Sequence, residues 1–231
     1  MRVIGVLGGM GPAATLDFMA KVYAADPGDV EQGRVRLIVD CNPAVDDRNL
    51  AVGGEGPSPG PALADMARGL AAAGAQALVI ACNTAHAWAD EVGEAGGIPL
   101  LSMIEAACDA VAAQAPSATR IGLLAGQGCL DAGVYQRAFA ARGWSVAIPG
   151  VQNQAAFMAA LYRIKAGVMG EAERAAFLAC AREVMDAGAQ VVVAGCTEIP
   201  LLLKPGDLDV PLIDPTEALA RAAVAFAHAG A

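Results

Sequence analysis

Only two histidines, His86 and His228, occur in the 231 residues, and none of the six cysteines forms a Cys-x-x-Cys pair. A zinc site of ordinary spacing is therefore excluded. Basic residues are scarce: 15 Lys and Arg stand against 24 Asp and Glu, a formal net charge of −9. That balance excludes a non-specific binder of nucleic acid or anionic membrane, which needs a basic patch. No apolar run reaches the roughly 20 residues of a membrane span. The N-terminus, MRVIGVLGGMGP, lacks the long apolar region and cleavage site of an export signal and reads as a strand entering a Gly-rich turn. Charged residues are only 17% against 56% hydrophobic, which excludes disorder. Cys41, Cys82, Cys108, Cys129, Cys180 and Cys196 are accordingly expected to be free thiols of a cytoplasmic protein.

What is present is alternation. Short apolar runs occur at residues 2–8, 35–40, 77–82, 98–103, 120–125, 144–149, 191–196 and 210–214. Most are unbroken rather than alternating, the pattern of parallel strands covered by helices on both faces. Between them lie Ala-rich stretches such as 61–73 and 171–187, long enough for crossover helices. The fold class is therefore α/β with parallel sheets.

The chain also repeats itself. AGAQALVIAC (73–82) and AGAQVVVAGC (187–196) share six of ten positions, 114 residues apart, and both end in Cys. IGVLGGMG (4–11) and IGLLAGQG (121–128) share five of eight, 117 residues apart. Two matches in the same order and nearly the same phase predict two copies of one α/β unit. The break falls near residues 112–119, at QAPSAT. The expected division is residues 1–112 as the first unit and 113–213 as the second.

Ligands of open parallel sheets bind beyond the C-terminal strand ends. Cys82 and Cys196 sit at such ends, each before an expected helix start (NTAHAWADE and TEIPLLL). Two units facing each other about a pseudo-twofold axis bring both thiols into one cleft. Thiols on opposite faces of a bound carbon suit racemisation: one thiolate removes an α-proton, and the other thiol returns a proton to the opposite face. Helix N-termini there favour a substrate carboxylate and lower a thiol pKa. Asn83, Thr84 and Thr197 add side-chain donors beside the thiols. His86, four residues after Cys82, either tunes that thiol or is a structural histidine.

With these residues in view the chain resembles the aspartate/glutamate racemase superfamily, most closely its aspartate racemase branch. The motifs are GGMGPAAT (8–15), NPAVDDR (42–48), ACNTAH (81–86), YRIKAG (162–167), GCTEIPLL (195–202) and DPTEALA (214–220). The resemblance implies two flavodoxin-like domains and a homodimer. It implies that residues 214–231 pack back on the first domain, and that no pyridoxal cofactor or metal is used. It assigns Cys82 and Cys196 as the paired acid and base. Met10, Thr15, Arg48, Asn83, Thr84, Lys165 and Thr197 are implied as substrate contacts, with Asp47 and Glu198 in support. Arg48 and Lys165 match positions that hold the side-chain carboxylate of a small acidic amino acid. An Arg can grip such a group through two bonds.

The chain departs from the family at Gly126, Cys129 and Ala132, where relatives carry hydroxyl residues that help hold a carboxylate. Cys129 would be only a weak substitute donor. Cys41, Cys108 and Cys180 are expected to be packing residues. The Gly/Pro-rich stretch 52–61 is either a lid or a plain connection. One rival reading is an NAD-dependent oxidoreductase, because Gly9–Ala14 fits G-x-G-x-x-A after a first strand. Its ribose-binding acid, Asp40, lies 29 residues after Gly11, further than the usual spacing of about 20. Another is a non-catalytic amino-acid-binding protein of the same fold, for which the departures speak and the paired thiols do not.

Overall fold

In the computed structural model, which describes residues 1–229, each of the eight apolar runs contains a strand. Residues 230 and 231, the end of the segment expected to return to the first unit, lie outside the described residues. The first unit runs β1 (Ile4–Gly8), α1 (Pro12–Ala25), β2 (Leu37–Cys41), α2 (Arg48–Val52), α3 (Gly60–Ala72), β3 (Ala77–Ile80), α4 (Ala89–Gly96), β4 (Leu100–Leu101) and α5 (Met103–Gln114). The second runs β5 (Arg120–Ala125), α6 (Gln127–Ala132), α7 (Val134–Ala141), β6 (Ser145–Ala147), α8 (Val151–Lys165), α9 (Glu171–Asp186), β7 (Val191–Gly195), α10 (Ile199–Leu202), β8 (Leu212–Ile213) and α11 (Pro215–His228). The sheets are parallel throughout, with orders β2-β1-β3-β4 and β6-β5-β7-β8. The same order in the same sequence sense makes them two copies of one topology, the expected α/β class.

The repeats have a common physical cause. Gly74 and Gly188 each hold the left-handed conformation just past a helix, with φ +97° and +90°, a region that L side chains avoid. The next residues, Ala75 and Ala189, pack over glycines of the first strand of each sheet. A Cβ on Gly5 would lie 2.8 Å from the Ala75 Cβ, and one on Gly122 would lie 3.1 Å from that of Ala189. The following glutamines then tie the strand starts. The Gln76 side-chain oxygen accepts from Val3 N at 3.0 Å, and that of Gln190 accepts from Thr119 N at 2.8 Å. The Gly, the second Ala and the Gln of AGAQ thus each do the same task twice.

Side chains on both faces of the central strands β1, β3, β5 and β7 are buried. Leu7, Leu78 and Ile80 pack against Leu63, Met66 and Leu70 of α3, and Leu124, Val192 and Ala194 pack against α8 and α9. The opposite faces are covered by an exchange of helices. Ile104, Ala107, Cys108 and Val111 of α5 pack on Ile121, Leu123, Val191 and Val193 of the second sheet. Leu219, Ala220, Ala223 and Ala227 of α11 pack on Ile4, Val6, Ala77 and Val79 of the first. Each fully buried large aliphatic side chain contributes about 1.5–3 kcal/mol, so this exchange binds the two sheets into one body. Asp214 caps α11, accepting from Thr216 N and Glu217 N, and pairs with Lys21 of α1 at 2.6 Å. No helix among the described residues is long and apolar enough to cross a membrane.

In the stretch 52–61, Ser58 Oγ accepts from Trp88 Nε1 at 3.1 Å and from Gly60 N at 3.2 Å. Cys108, Cys129 and Cys180 are buried, but Cys41 is exposed. The expectation that Cys41 packs inside is corrected by its place at the end of β2, the edge strand of its sheet.

Candidate active site

Cys82 follows β3 and Cys196 follows β7, and both thiols are free and buried. The two line a single cleft between the sheets, together with Met10, Arg48, Asn49, Asn83, Thr84, Leu161, Lys165, Thr197 and Glu198. The open space is about 20 Å³, room for one water and not for an amino acid. Entry of a substrate therefore requires the walls to part.

A helix start was expected after each thiol, and both are present: a 3-10 turn at Thr84–Trp88 that leads directly into α4 after the first, and the four-residue α10 after the second. His86 explains the first turn. Its Nδ1 lies 2.9 Å from the Cys82 carbonyl and its Nε2 accepts from Met103 N at 3.1 Å. With Nε2 accepting, Nδ1 carries the proton. Complete burial holds its pKa down at about 4, so the ring is neutral. His86 is a structural link between the thiol-bearing turn and α5, and it engages the Cys82 carbonyl.

The second thiol sits in a charged network. Cys196 Sγ donates to Glu198 Oε2 at 3.1 Å, and Thr197 Oγ1 donates to the same oxygen at 3.1 Å. Lys165, the last residue of α8, donates from Nζ to Glu198 Oε1 at 2.6 Å and to the Met10 carbonyl at 3.2 Å. Burial, then the Glu198 charge, push the Cys196 pKa well up. Cys196 is therefore a protonated thiol in this closed state. Burial opposes the Lys165 ammonium, but the Glu198 carboxylate beside it holds the charge and the Lys165 pKa is raised.

Arg48 opens α2. Its Nη1 donates to the carbonyls of Val45 and Asp46 at 3.0 and 2.8 Å, and its Nη2 to that of Met10 at 3.3 Å. Its Nε is buried without a partner among the described residues, as is Nδ2 of Asn83. Two N–H donors of the cleft are thus unsatisfied, which buried groups in folded proteins rarely are.

Two expected site residues stand outside the cleft lining. Thr15 serves the Gly-rich turn: its hydroxyl accepts from Gly9 N at 2.8 Å and donates to the Gly11 carbonyl at 3.0 Å. Asp47 caps α2, accepting from Asn49 N at 2.7 Å, and receives the Tyr162 hydroxyl at 3.1 Å. Two lining residues were not anticipated. Leu161 precedes the YRIKAG motif and carries no chemical signal. Asn49 crosses between the units, its Oδ1 accepting from Gly128 N at 2.9 Å. The glycines at 126 and 128 were its trace. A Cβ on Gly126 would lie 3.1 Å from Asn49 Oδ1, and one on Gly128 would lie 2.7 Å from Asn49 Cα. Cys129 lies in the core of the second unit, where burial raises its thiol pKa, and does not face the cleft.

The Gly9–Ala14 turn does not suit a dinucleotide. Its Gly9 amide is taken by Thr15, and Glu198 Oε1 stands 3.7 Å from where a Gly11 Cβ would be. A carboxylate there repels a pyrophosphate. Among the described residues no three His, Cys, Asp or Glu side chains are grouped to hold a metal ion.

The Asp/Glu/Hydantoin racemase family matches residues 7–223. The chain is 24% identical over 229 residues to the broad specificity amino-acid racemase RacX of Bacillus subtilis (strain 168), covering 96% of each chain. Its fold matches that of the Picrophilus torridus aspartate racemase with a TM-score of 0.84 at 24% identity, over 99% of this chain and 95% of that one. It also matches an aspartate racemase homologue from Pyrococcus horikoshii OT3, with a TM-score of 0.79 at 23% identity, over 99% of this chain and 100% of that one.

Proposed function

This chain belongs to the Asp/Glu/hydantoin racemase family, and from that membership we propose that it racemises a small acidic amino acid, aspartate ahead of glutamate, by proton transfer between two thiols and the α-carbon. The observation that carries the reading is that Cys82 and Cys196, from equivalent strand ends of the two units, line one cleft with Arg48 and Lys165. Cys82, as thiolate, takes the α-proton and becomes a thiol. Cys196, as thiol, gives its proton to the opposite face of the carbanion and becomes a thiolate. The reverse reaction exchanges these roles, so no proton is gained or lost over a cycle in both directions. Asn83, Thr84 and Thr197 supply donors for the α-carboxylate, whose negative charge grows as the carbanion forms. Arg48 and Lys165 receive the side-chain carboxylate, and Glu198 yields Lys165 as it enters. The reading requires no organic cofactor and carries a homodimer with it.

The test is incubation of the purified protein with L-aspartate in D₂O, without pyridoxal phosphate or metal. Formation of D-aspartate with deuterium at the α-carbon is expected. A panel including glutamate and neutral and basic amino acids defines the substrate. No α-exchange with any of them would reject the racemase reading, and exchange confined to non-acidic amino acids would reject the acidic one.

A further inference from the structure

Tyr135 takes no part in the chemistry just described, yet its hydroxyl reaches the cleft wall. It lies on α7 of the second unit, fully buried, and donates to Asn83 Oδ1 of the first unit at 2.6 Å. We infer that Tyr135 is a positioning residue: its hydroxyl fixes the Asn83 amide so that the Nδ2 N–H is held for a substrate carboxylate oxygen. The inference rests on the racemase reading of the cleft and deepens it.

A primary amide has one accepting end and one donating end. Which end meets the ligand depends on what the other end holds. The Tyr135 hydroxyl makes no other hydrogen bond among the described residues. Turning the amide over would leave the phenol proton without an acceptor in a buried site, and an unmade bond there is strongly unfavourable. Burial raises the phenol pKa well above its usual value, which keeps the hydroxyl a donor. The opposite end of Asn83 is the unsatisfied one, since Nδ2 is buried and unpartnered in the side chain that lines the cleft. Arg48 Nε is the second unsatisfied donor of the same cleft. Two waiting N–H groups fit an oxygen-rich anion. Because Tyr135 and Asn83 belong to different units, the donor is aligned only while the two units are docked. Substrate affinity is thereby coupled to closure.

The experiment measures kcat and KM, with the amino acid the panel identifies, for the wild type, Tyr135→Phe, Asn83→Ala and the double variant. Succinate binding is followed by thermal shift, as a readout independent of turnover. Tyr135→Phe should raise KM and weaken succinate by roughly tenfold to a hundredfold, the range for a lost bond to a charged group, and should lower kcat as well, because Asn83 faces a carboxylate whose charge grows in the transition state. In the Asn83→Ala background the same change should add nothing, because its target is gone. The double variant lacks both partners and carries no orphan oxygen at this site. If Tyr135→Phe alone does not fold, equal KM values for Asn83→Ala and the double variant still support the inference. An unchanged KM in Tyr135→Phe, or an equal loss in both backgrounds, overturns it. A wild type that binds succinate but racemises nothing would overturn the proposed function instead, and the succinate series would still decide the role of Tyr135.

Discussion

The ammonium of Lys165 stands 2.6 Å from the carboxylate of Glu198 inside the cleft. The cation expected to hold a substrate carboxylate thus already holds one from the chain itself. On the proposed reading, the substrate displaces a neighbour as well as water. Glu198 also accepts the Cys196 proton, so one carboxylate links substrate binding to the state of a thiol.

Replacing Glu198 by Gln removes the partner of Lys165. Breaking a buried ion pair costs about 3–5 kcal/mol. Lys165 is 22% exposed, so a loss of about 2 kcal/mol is expected here. An acidic ligand would restore the lost partner. Calorimetry should therefore show a lower Tm for Glu198→Gln and a larger stabilisation by succinate than in the wild type. An equal or smaller stabilisation would mean that Glu198 and the ligand do not compete for Lys165.

Both thiols are required by the proposed chemistry. Cys82→Ser and Cys196→Ser should each lower racemisation by roughly a thousandfold or more, since members of a cooperating pair act as a unit. Each variant can still exchange the α-proton on the side of its surviving thiol. The exposed Cys41 is the control, and Cys41→Ser should stay within about twofold of wild type. Chiral chromatography with thermal melting separates loss of chemistry from loss of fold. Wild-type rates from either single-thiol variant would refute the two-thiol mechanism.

Acid should destabilise the protein through His86. Its pKa is about 4 in the folded chain, lowered from 6.5 by burial. Below pH 6.5 the unfolded chain takes up a proton that the folded chain refuses, so stability falls as the pH drops. The loss develops between pH 6.5 and 4 and reaches about 3 kcal/mol. Urea titrations at pH 7, 5.5 and 4 should show it. A His86→Gln variant should be less stable at pH 7 and flatter in this window. A variant as steep as the wild type would place the acid sensitivity elsewhere.

Gly128→Ala sets a methyl group 2.7 Å from Asn49 Cα and 3.1 Å from the Arg48 carbonyl. Both neighbours are backbone, so α2 must shift and take Arg48 with it. We expect a destabilisation of about 1–3 kcal/mol and a KM for the acidic substrate raised by about tenfold or more. Steady-state kinetics beside a melting curve reads both. An unchanged KM would show that Arg48 does not depend on this contact.

Much of this architecture lies in local pattern. Unbroken apolar runs locate the strands, and the repeated AGAQ and IG pairs locate equivalent turns, because a left-handed Gly and a helix-facing Gly are backbone requirements written in single residues. The cysteines ending both repeats mark the strand ends that meet in the cleft, and the motif resemblance extends the site to Arg48 and Lys165. Helix starts follow both thiols as expected, but the short turns they take depend on tertiary contacts such as those of His86 with Cys82 and Met103.

What the sequence determined by itself is the α/β class, the duplication and the two strand-end cysteines of the proposed pair, since each rests on local pattern or on a residue's own chemistry. Only the tertiary structure decided that α5 crosses to the second sheet, that Glu198 occupies Lys165, that Asn49 fills the space left by Gly126 and Gly128, and that Tyr135 holds Asn83. Each of these joins residues far apart in the chain. Such pairings depend on how the two sheets are docked, and docking is set by the summed packing of many side chains, which no local pattern encodes.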